Sequence, residues 1–202
     1  MKRAVIFLAE GFEEVEALAP IDLLRRAGYD VTTVSITRDQ LVLGSHKIPV
    51  KADLIIDDMI NEDAYDILIL PGGMKGTQNL AGCARLCEMI KKYDADPEKY
   101  IAAICAAPAV VLAANGVLKG KKAICYPGND LIQMMADGGA VMRDDYHKLS
   151  AIIDDHTITS KGAGTAMDFA LTIIAAVESV SHADVIADKV VYNWDKDKVL
   201  GL

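Results

Sequence analysis

Five stretches, residues 3–9, 31–36, 67–70, 101–104 and 123–125, are continuously apolar and are bounded by turn-forming residues. A strand with one wet face alternates polar and apolar positions, whereas a strand covered on both faces does not. The pattern therefore asks for a sheet held between two layers of helix. Helical periodicity in the intervening segments predicts those layers at residues 14–27, 80–93, 107–115, 129–137, 165–180 and 182–194. The first places Val15, Leu18, Ala19, Asp22 and Leu23 near 3.6-residue spacing and closes on Arg25-Arg26-Ala27-Gly28, cations and a glycine suited to a helix C-terminus. Pro20 inside it predicts a kink. Strands and helices alternating at these lengths give an α/β three-layer sandwich around a mostly parallel sheet. Residues 41–50, with Gly44-Ser45 at their middle, read as a small β-hairpin, and residues 141–159 as short strands joined by Asp154-Asp155. Without repeat, linker or low-complexity segment, residues 1–202 read as one domain.

A chain of 202 residues buries roughly 70% of its unfolded surface and needs neither disulfide nor metal to hold it. Its net charge of −8 repels polyphosphate, which argues against nucleic acid as a tight partner. Lys2-Arg3 precede only six apolar residues before Glu10, shorter than a secretory h-region. The longest apolar run, residues 100–114, falls short of a membrane span and contains Pro108. The reading is a cytoplasmic protein with no membrane partner, whose four cysteines are thiols.

Cys105 stands where the buried run 101–104 passes directly into a helical pattern, the arrangement of a nucleophile elbow. Ala106 and Ala107 permit a tight turn, and Pro108 suits the first helical turn. A helix N-terminus favours thiolate; a packed core cysteine is the alternative reading. Pro71-Gly72-Gly73 follow another buried run, so the Gly72 and Gly73 amides, with that of Ala106, offer an oxyanion hole; read alone, they form a turn. Glu13, Glu14 and Glu16 share the start of the first helix, where any of them complements the dipole. Cys83 and Cys87 have the i, i+4 spacing of a chelating pair but no further ligands, and read as packing thiols. His156 and His182 sit in polar contexts and read as solvated, and Gly162-Ala-Gly-Thr as a close strand–helix approach.

Together these motifs resemble the ThiJ/PfpI superfamily, in its DJ-one (Parkinsonism-associated deglycase) branch, from Lys2 to about Val191. The specific elements are Glu-Gly-Phe-Glu-Glu-Val-Glu (10–16), Leu-Leu-Arg-Arg-Ala-Gly (23–28), Leu-Pro-Gly-Gly (70–73), Ala-Ala-Ile-Cys-Ala-Ala-Pro (102–108) and Thr-Ser-Lys-Gly-Ala-Gly-Thr-Ala (159–166). The resemblance implies a flavodoxin-like homodimer with Cys105 as an oxidisable nucleophile and Glu16 as a protonated carboxyl bonded to its sulfur. Gly73 and Ala106 match the family's backbone donors. Ala106 replaces the histidine of the protease-like branch, which argues against proteolysis. Tyr126 stands where human-like members have a histidine. Arg26 and His46 occupy the positions of two arginines lining an anion site near the dimer interface, and Lys161 and Ala163 replace a common Arg and Pro.

The function implied is a cofactor-independent, metal-free cysteine enzyme acting on reactive aldehydes such as methylglyoxal, or on their early glycation adducts. The alternative is a redox sensor or redox-regulated chaperone whose Cys105 is oxidised to sulfinic acid without turnover. A thiamine-pathway role has no supporting motif.

Overall fold

The computed structural model describes residues 1–202, the side chain of Asp144 excepted. In chain order the elements that frame the site are β1 (Arg3–Leu8), α1 (Glu14–Arg26), β2 (Asp30–Ser35), β3 (Leu41–Leu43), β4 (Pro49–Lys51), β5 (Leu54–Ile55), β6 (Ile67–Leu70), α2 (Met74–Ala81), α3 (Ala84–Asp94) and β7 (Tyr100–Ile104). A π-helical turn, Pro108–Ala113, is followed by α4 (Asn129–Asp137), β8 (Ala151–Asp154), β9 (Thr157–Ser160), α5 (Ala166–Val177), α6 (Val180–Lys189) and β10 (Val199–Leu200). The main sheet runs β10-β8-β9-β7-β6-β1-β2-β5, parallel except where β8 meets β9. β3 and β4 pair antiparallel as the separate hairpin expected from Gly44-Ser45.

Burial on both faces accounts for the unbroken apolar runs. Ala4, Ile6 and Leu8 of β1 point into one core with Leu23 and Leu24 of α1 and Phe169 and Ile173 of α5. Val5 and Phe7 point into the other, with Leu86 and Ile90 of α3 and Leu131 of α4. Every polar substitution on such a strand meets one core or the other. Pro20 is buried inside α1 without ending it, and leaves the Glu16 carbonyl without an i+4 amide partner.

Four expectations are corrected. Residues 123–125 are not a strand: β9 already has β7 on one edge and β8 on the other, so the segment finds no open edge beside β9. Its backbone is held by Thr159 Oγ1, which accepts from Ile124 N at 3.0 Å, and by the Cys105 carbonyl, which accepts from Tyr126 N at 2.8 Å. Residues 80–93 divide into α2 and α3 at Gly82-Cys83, so Cys83 caps α3 and Cys87 lies inside it. Cys87 donates to the Ala81 carbonyl at 3.4 Å, in keeping with a packing thiol. Residues 141–150 hold a 3-10 turn, Asp144–Lys148, in place of a strand. His156 is also buried, at 7% exposure, beside Asp155 and Asp94.

Four adjacent parallel strands, β1, β6, β7 and β9, end in register on one edge of the sheet. The segments leaving that edge carry Glu16, Gly72-Gly73, Cys105-Ala106 and Lys161-Gly162. Open α/β sheets bind ligands at this edge because the chain there is free of ladder hydrogen bonds.

Candidate active site

Cys105 adopts φ 67°, a left-handed backbone rare for a residue with a side chain. That conformation costs about 1–3 kcal/mol and persists only where the surroundings hold it. Here both of its peptide groups are tied: Cys105 N donates to the Ser160 carbonyl at 3.0 Å, and the Cys105 carbonyl accepts from Tyr126. The turn lifts the thiol out of β7 into a half-buried position, as an elbow does.

Glu16, in the first turn of α1, is 1% exposed. Its Oε2 accepts the Gly72 amide at 2.9 Å, and the amide of Ala163 and the thiol of Cys105 also reach the carboxyl. Glu13 is the N-cap of α1, its Oε2 accepting Glu16 N at 2.8 Å, and so fixes where the helix begins. Gly72 fits because it has no side chain. A Cβ there would collide with Cys105 Cβ and Glu16 Oε2 and lie 3.0 Å from the sulfur. Gly73, at φ 86°, turns β6 into α2 while packed against the Gly11 carbonyl, again with no space for a Cβ.

Burial lifts the Glu16 pKa to about 7; the Glu13 charge adds to the rise, while hydrogen bonds from Cys105, Gly72 and Ala163 oppose it. Burial also pushes the Cys105 thiol up to about 12, the Glu16 carboxylate adding to the rise and the amides of Gly73 and Ala106 resisting it. The expected lowering of the thiol pKa by a helix N-terminus is therefore overturned. Only a short π-helical turn follows Cys105, and its amide contribution is smaller than the desolvation.

The structure brings Cys105, Glu16, Gly72, Gly73 and Ala106 together. Gly73 and Ala106 direct their amides at the sulfur. Gly72 does not serve as an oxyanion donor, because its N–H is committed to Glu16. Tyr126 is exposed, and a Cβ at Gly162 would lie 3.6 Å from its ring and 3.7 Å from Glu16 Oε1. Lys161 turns away and donates to the His147 carbonyl at 2.8 Å.

Arg26 and His46 do not form one anion site within this chain. Arg26 ends α1, paired with Asp22 at 2.6 Å, while His46 sits at the start of α1 with Nδ1 3.1 Å from Glu14 Oε2. The length of the helix, roughly 20 Å at about 1.5 Å per residue, separates them. Glu14, buried at 3% exposure, accepts His46 N at 2.7 Å, Ser45 Oγ at 3.2 Å and Ile48 N at 3.4 Å, and so latches the hairpin loop onto α1. Glu13, Glu14 and His46 hold their ligand atoms within 4.8 Å of one another, the one such group among the described residues, with Glu14 already engaged in these bonds. The latch and the Glu13 cap were not read from sequence. Glu13 standing three residues before Glu16 is the capping signal that offers it.

A thiol raised on a strained turn at the carboxyl edge of a mostly parallel sheet, beside a buried carboxyl, defines a flavodoxin-like α/β protein with a cysteine elbow. The chain belongs to the DJ-1/PfpI family, whose model matches residues 2–176. It is 36% identical to a Parkinson disease protein 7 homolog of Danio rerio over 92% of this chain and 93% of that one. It is 37% identical to protein DJ-1 homolog A of Arabidopsis thaliana over 83% of this chain but 40% of that protein. The chain thus spans about two-fifths of the length of that curated relative. Among solved structures, oxidised Toxoplasma gondii DJ-1 superposes with a TM-score of 0.87 at 33% identity, covering 96% of this chain and all (100%) of that one. A DJ-1 superfamily protein from Salmonella typhimurium gives 0.85 at 34% identity, covering 96% and 100%. No helix among the described residues is long and apolar enough to cross a membrane.

Proposed function

We propose that the chain is a cofactor-independent cysteine enzyme that adds Cys105 to reactive α-oxoaldehydes such as methylglyoxal, or to their early glycation adducts, and releases a hydroxy acid. The observation that carries this reading is the buried Glu16 carboxyl within hydrogen-bond reach of the Cys105 sulfur, with a pKa near 7. A thiol held protonated needs a base at the moment of attack, and Glu16 is that base.

The sulfur attacks the aldehyde carbon as the S–H proton passes to Glu16, and the carbonyl electron pair moves onto oxygen beside the Gly73 and Ala106 amides. Glu16, returned to its carboxylate as that oxygen takes up the proton, removes the hydrogen on the former aldehyde carbon. The resulting enediol is reprotonated at the neighbouring carbon. The product is a thioester on Cys105, which water hydrolyses to the hydroxy acid while restoring the thiol. The steps sum to aldehyde plus water giving acid. Ala106, where a triad histidine would stand, leaves peptide cleavage without its base.

The test is lactate production from methylglyoxal by the reduced protein and by Cys105→Ser and Glu16→Gln. Turnover that falls at least about a hundredfold in both supports the reading. Turnover unchanged by Cys105→Ser ends it.

A second reading rests on the same donors around the sulfur. Peroxide adds one oxygen to Cys105 and leaves as water, a second equivalent gives sulfinate, and Glu16, Gly73 and Ala106 hydrogen-bond the product. This sensor or chaperone role predicts two added oxygens at Cys105 while Cys83, Cys87 and Cys125 stay reduced, with no aldehyde turnover. In either case the chain works as a homodimer. Val15 and Leu18 on α1, with Leu41, Leu43 and Ile48 on the adjoining hairpin, are exposed apolar residues suited to a second copy. A two-fold axis laying α1 antiparallel to its mate would bring the separated Arg26 and His46 positions together. Light scattering at micromolar concentration reads the oligomeric state directly.

A further inference from the structure

A cavity of about 280 Å³ is not lined by Cys105, Glu16, Gly72 or Gly73. Its walls come from the segment after the π-helical turn (Ile124, Cys125, Pro127), from α4 (Ile132) and from the 3-10 turn region (Met142, Arg143, Tyr146, His147), with Lys161 at its edge. Two properties set it apart. The walls are mainly aliphatic, aromatic and thiol, and Cys125, 5% exposed, is held protonated by burial, its pKa raised to about 12. The two cations, in a chain of net charge −8, also have donors without a partner among the described residues.

Arg143 gives Nε and Nη2 to Asp145, at 3.1 and 3.0 Å, and its guanidinium lies 5.8 Å from the Tyr146 ring. A guanidinium has five N–H donors, and among the described residues two of them are taken by Asp145. Lys161 gives one donor to the His147 carbonyl and retains two; it forms no ion pair within 4.0 Å among the described residues. Burial and the nearby Lys198 lower its pKa, with Asp168 opposing, so its ammonium gains from an added anion. Tyr146, 4% exposed, lines both this cavity and a neighbouring one of about 250 Å³. An apolar chamber with a few polar groups at its edge binds small molecules that have one charged end.

We propose that this cavity is a binding site for a small organic carboxylate with an apolar body, its carboxylate on Lys161 and Arg143 and its body against Ile124, Cys125, Ile132 and Tyr146. The site goes beyond the chemistry at Cys105 and is separable from it. Lys161, which stands where the family commonly carries an arginine, lines this cavity.

Titration calorimetry with sodium phenylacetate tests it, using the full chain in the reduced state. Binding is expected in the sub-millimolar range, roughly what a compact ligand of this size achieves. Phenylacetamide, the same shape without charge, is expected to bind about tenfold more weakly, and Lys161→Met and Arg143→Met each to lose about tenfold for phenylacetate. Ile132→Trp, which fills the chamber from a residue 40% exposed, is expected to abolish binding, and Cys105→Ala to leave it intact. Equal binding of acid and amide overturns the assignment of the cations. Inorganic phosphate binding as tightly as phenylacetate, or unchanged binding to Ile132→Trp, overturns the apolar chamber. Loss of binding in Cys105→Ala places the ligand at the elbow instead, and no heat at millimolar phenylacetate rejects the site outright. Cooperative thermal unfolding of each variant confirms that it is folded.

Discussion

Gly72 donates its amide hydrogen to the buried carboxyl of Glu16 at 2.9 Å, across 56 residues of sequence. That one bond joins the end of β6 to the first turn of α1 and fixes the carboxyl where Cys105 meets it. It also removes the Gly72 amide from any role in stabilising an oxyanion, leaving Gly73 and Ala106 as the donors that face the sulfur.

Gly72→Ala should disable the site with the fold retained. The added methyl collides with Cys105 Cβ and Glu16 Oε2, so one of them must move. The expected cost is about 1–3 kcal/mol of stability, typical of overpacking. Urea denaturation reads the stability, and the rate of Cys105 alkylation by iodoacetamide should change severalfold. An alkylation rate equal to wild type would mean that the pair is not packed against Gly72.

Glu16 should impose a pH dependence on stability. Its folded pKa, about 7, lies above the ordinary carboxyl value of 4.5, so between those values the folded state binds more protons than the unfolded state. Stability therefore falls as pH rises from about 4.5 to 7, by an amount on the order of 3 kcal/mol. Glu16→Gln should flatten this slope. Denaturation midpoints measured across that window, unchanged in slope by the substitution, would contradict the buried ionisation.

Turnover should follow the same proton in the opposite sense. With the thiol pushed up to about 12, activity depends on Glu16 as carboxylate. The rate with methylglyoxal should drop as pH falls through about 7 and level off above it, and Glu16→Gln should lose both the inflection and most of the rate. A profile that in wild type keeps climbing toward pH 10 would instead report direct titration of the thiol.

Glu14→Ala should release the hairpin loop. It removes the acceptor of the His46 and Ile48 amides in a partly solvated loop, at about 0.5–1.5 kcal/mol for each hydrogen bond lost. Burial raises the Glu14 pKa, but the bonds from His46 and Ile48 outweigh it and the net shift is downward. The latch is thus fully formed above the ordinary carboxyl value of 4.5 and is lost as pH falls through the lower, folded pKa. Hydrogen exchange at residues 44–48 should accelerate at least tenfold in the variant, with little change in β6 or β7. Unchanged exchange would show that the loop is held by other contacts.

Much of this architecture is local and therefore legible in the chain. The apolar runs at 3–9, 31–36, 67–70 and 101–104 become β1, β2, β6 and β7 because each is covered twice, and burial of both faces writes itself into every residue. The run at 123–125 has the same composition but no open edge beside β9 to join, and edge availability depends on where β8 returns along β9. The division of 80–93 at Gly82-Cys83 follows from a cap that periodicity smooths over.

At the site, the sequence by itself determined that Cys105 sits on a turn between a buried strand and a helical turn, because small residues and Pro108 specify that junction within a few positions. It offered three similar carboxylates, and only the tertiary structure sorted them: Glu13 caps the helix, Glu14 latches the hairpin and Glu16 meets the sulfur. The tertiary structure also separated Arg26 from His46 and reversed the expected direction of the thiol pKa. Desolvation and neighbouring charge set proton affinity, and both come from segments distant in sequence that fold against one another.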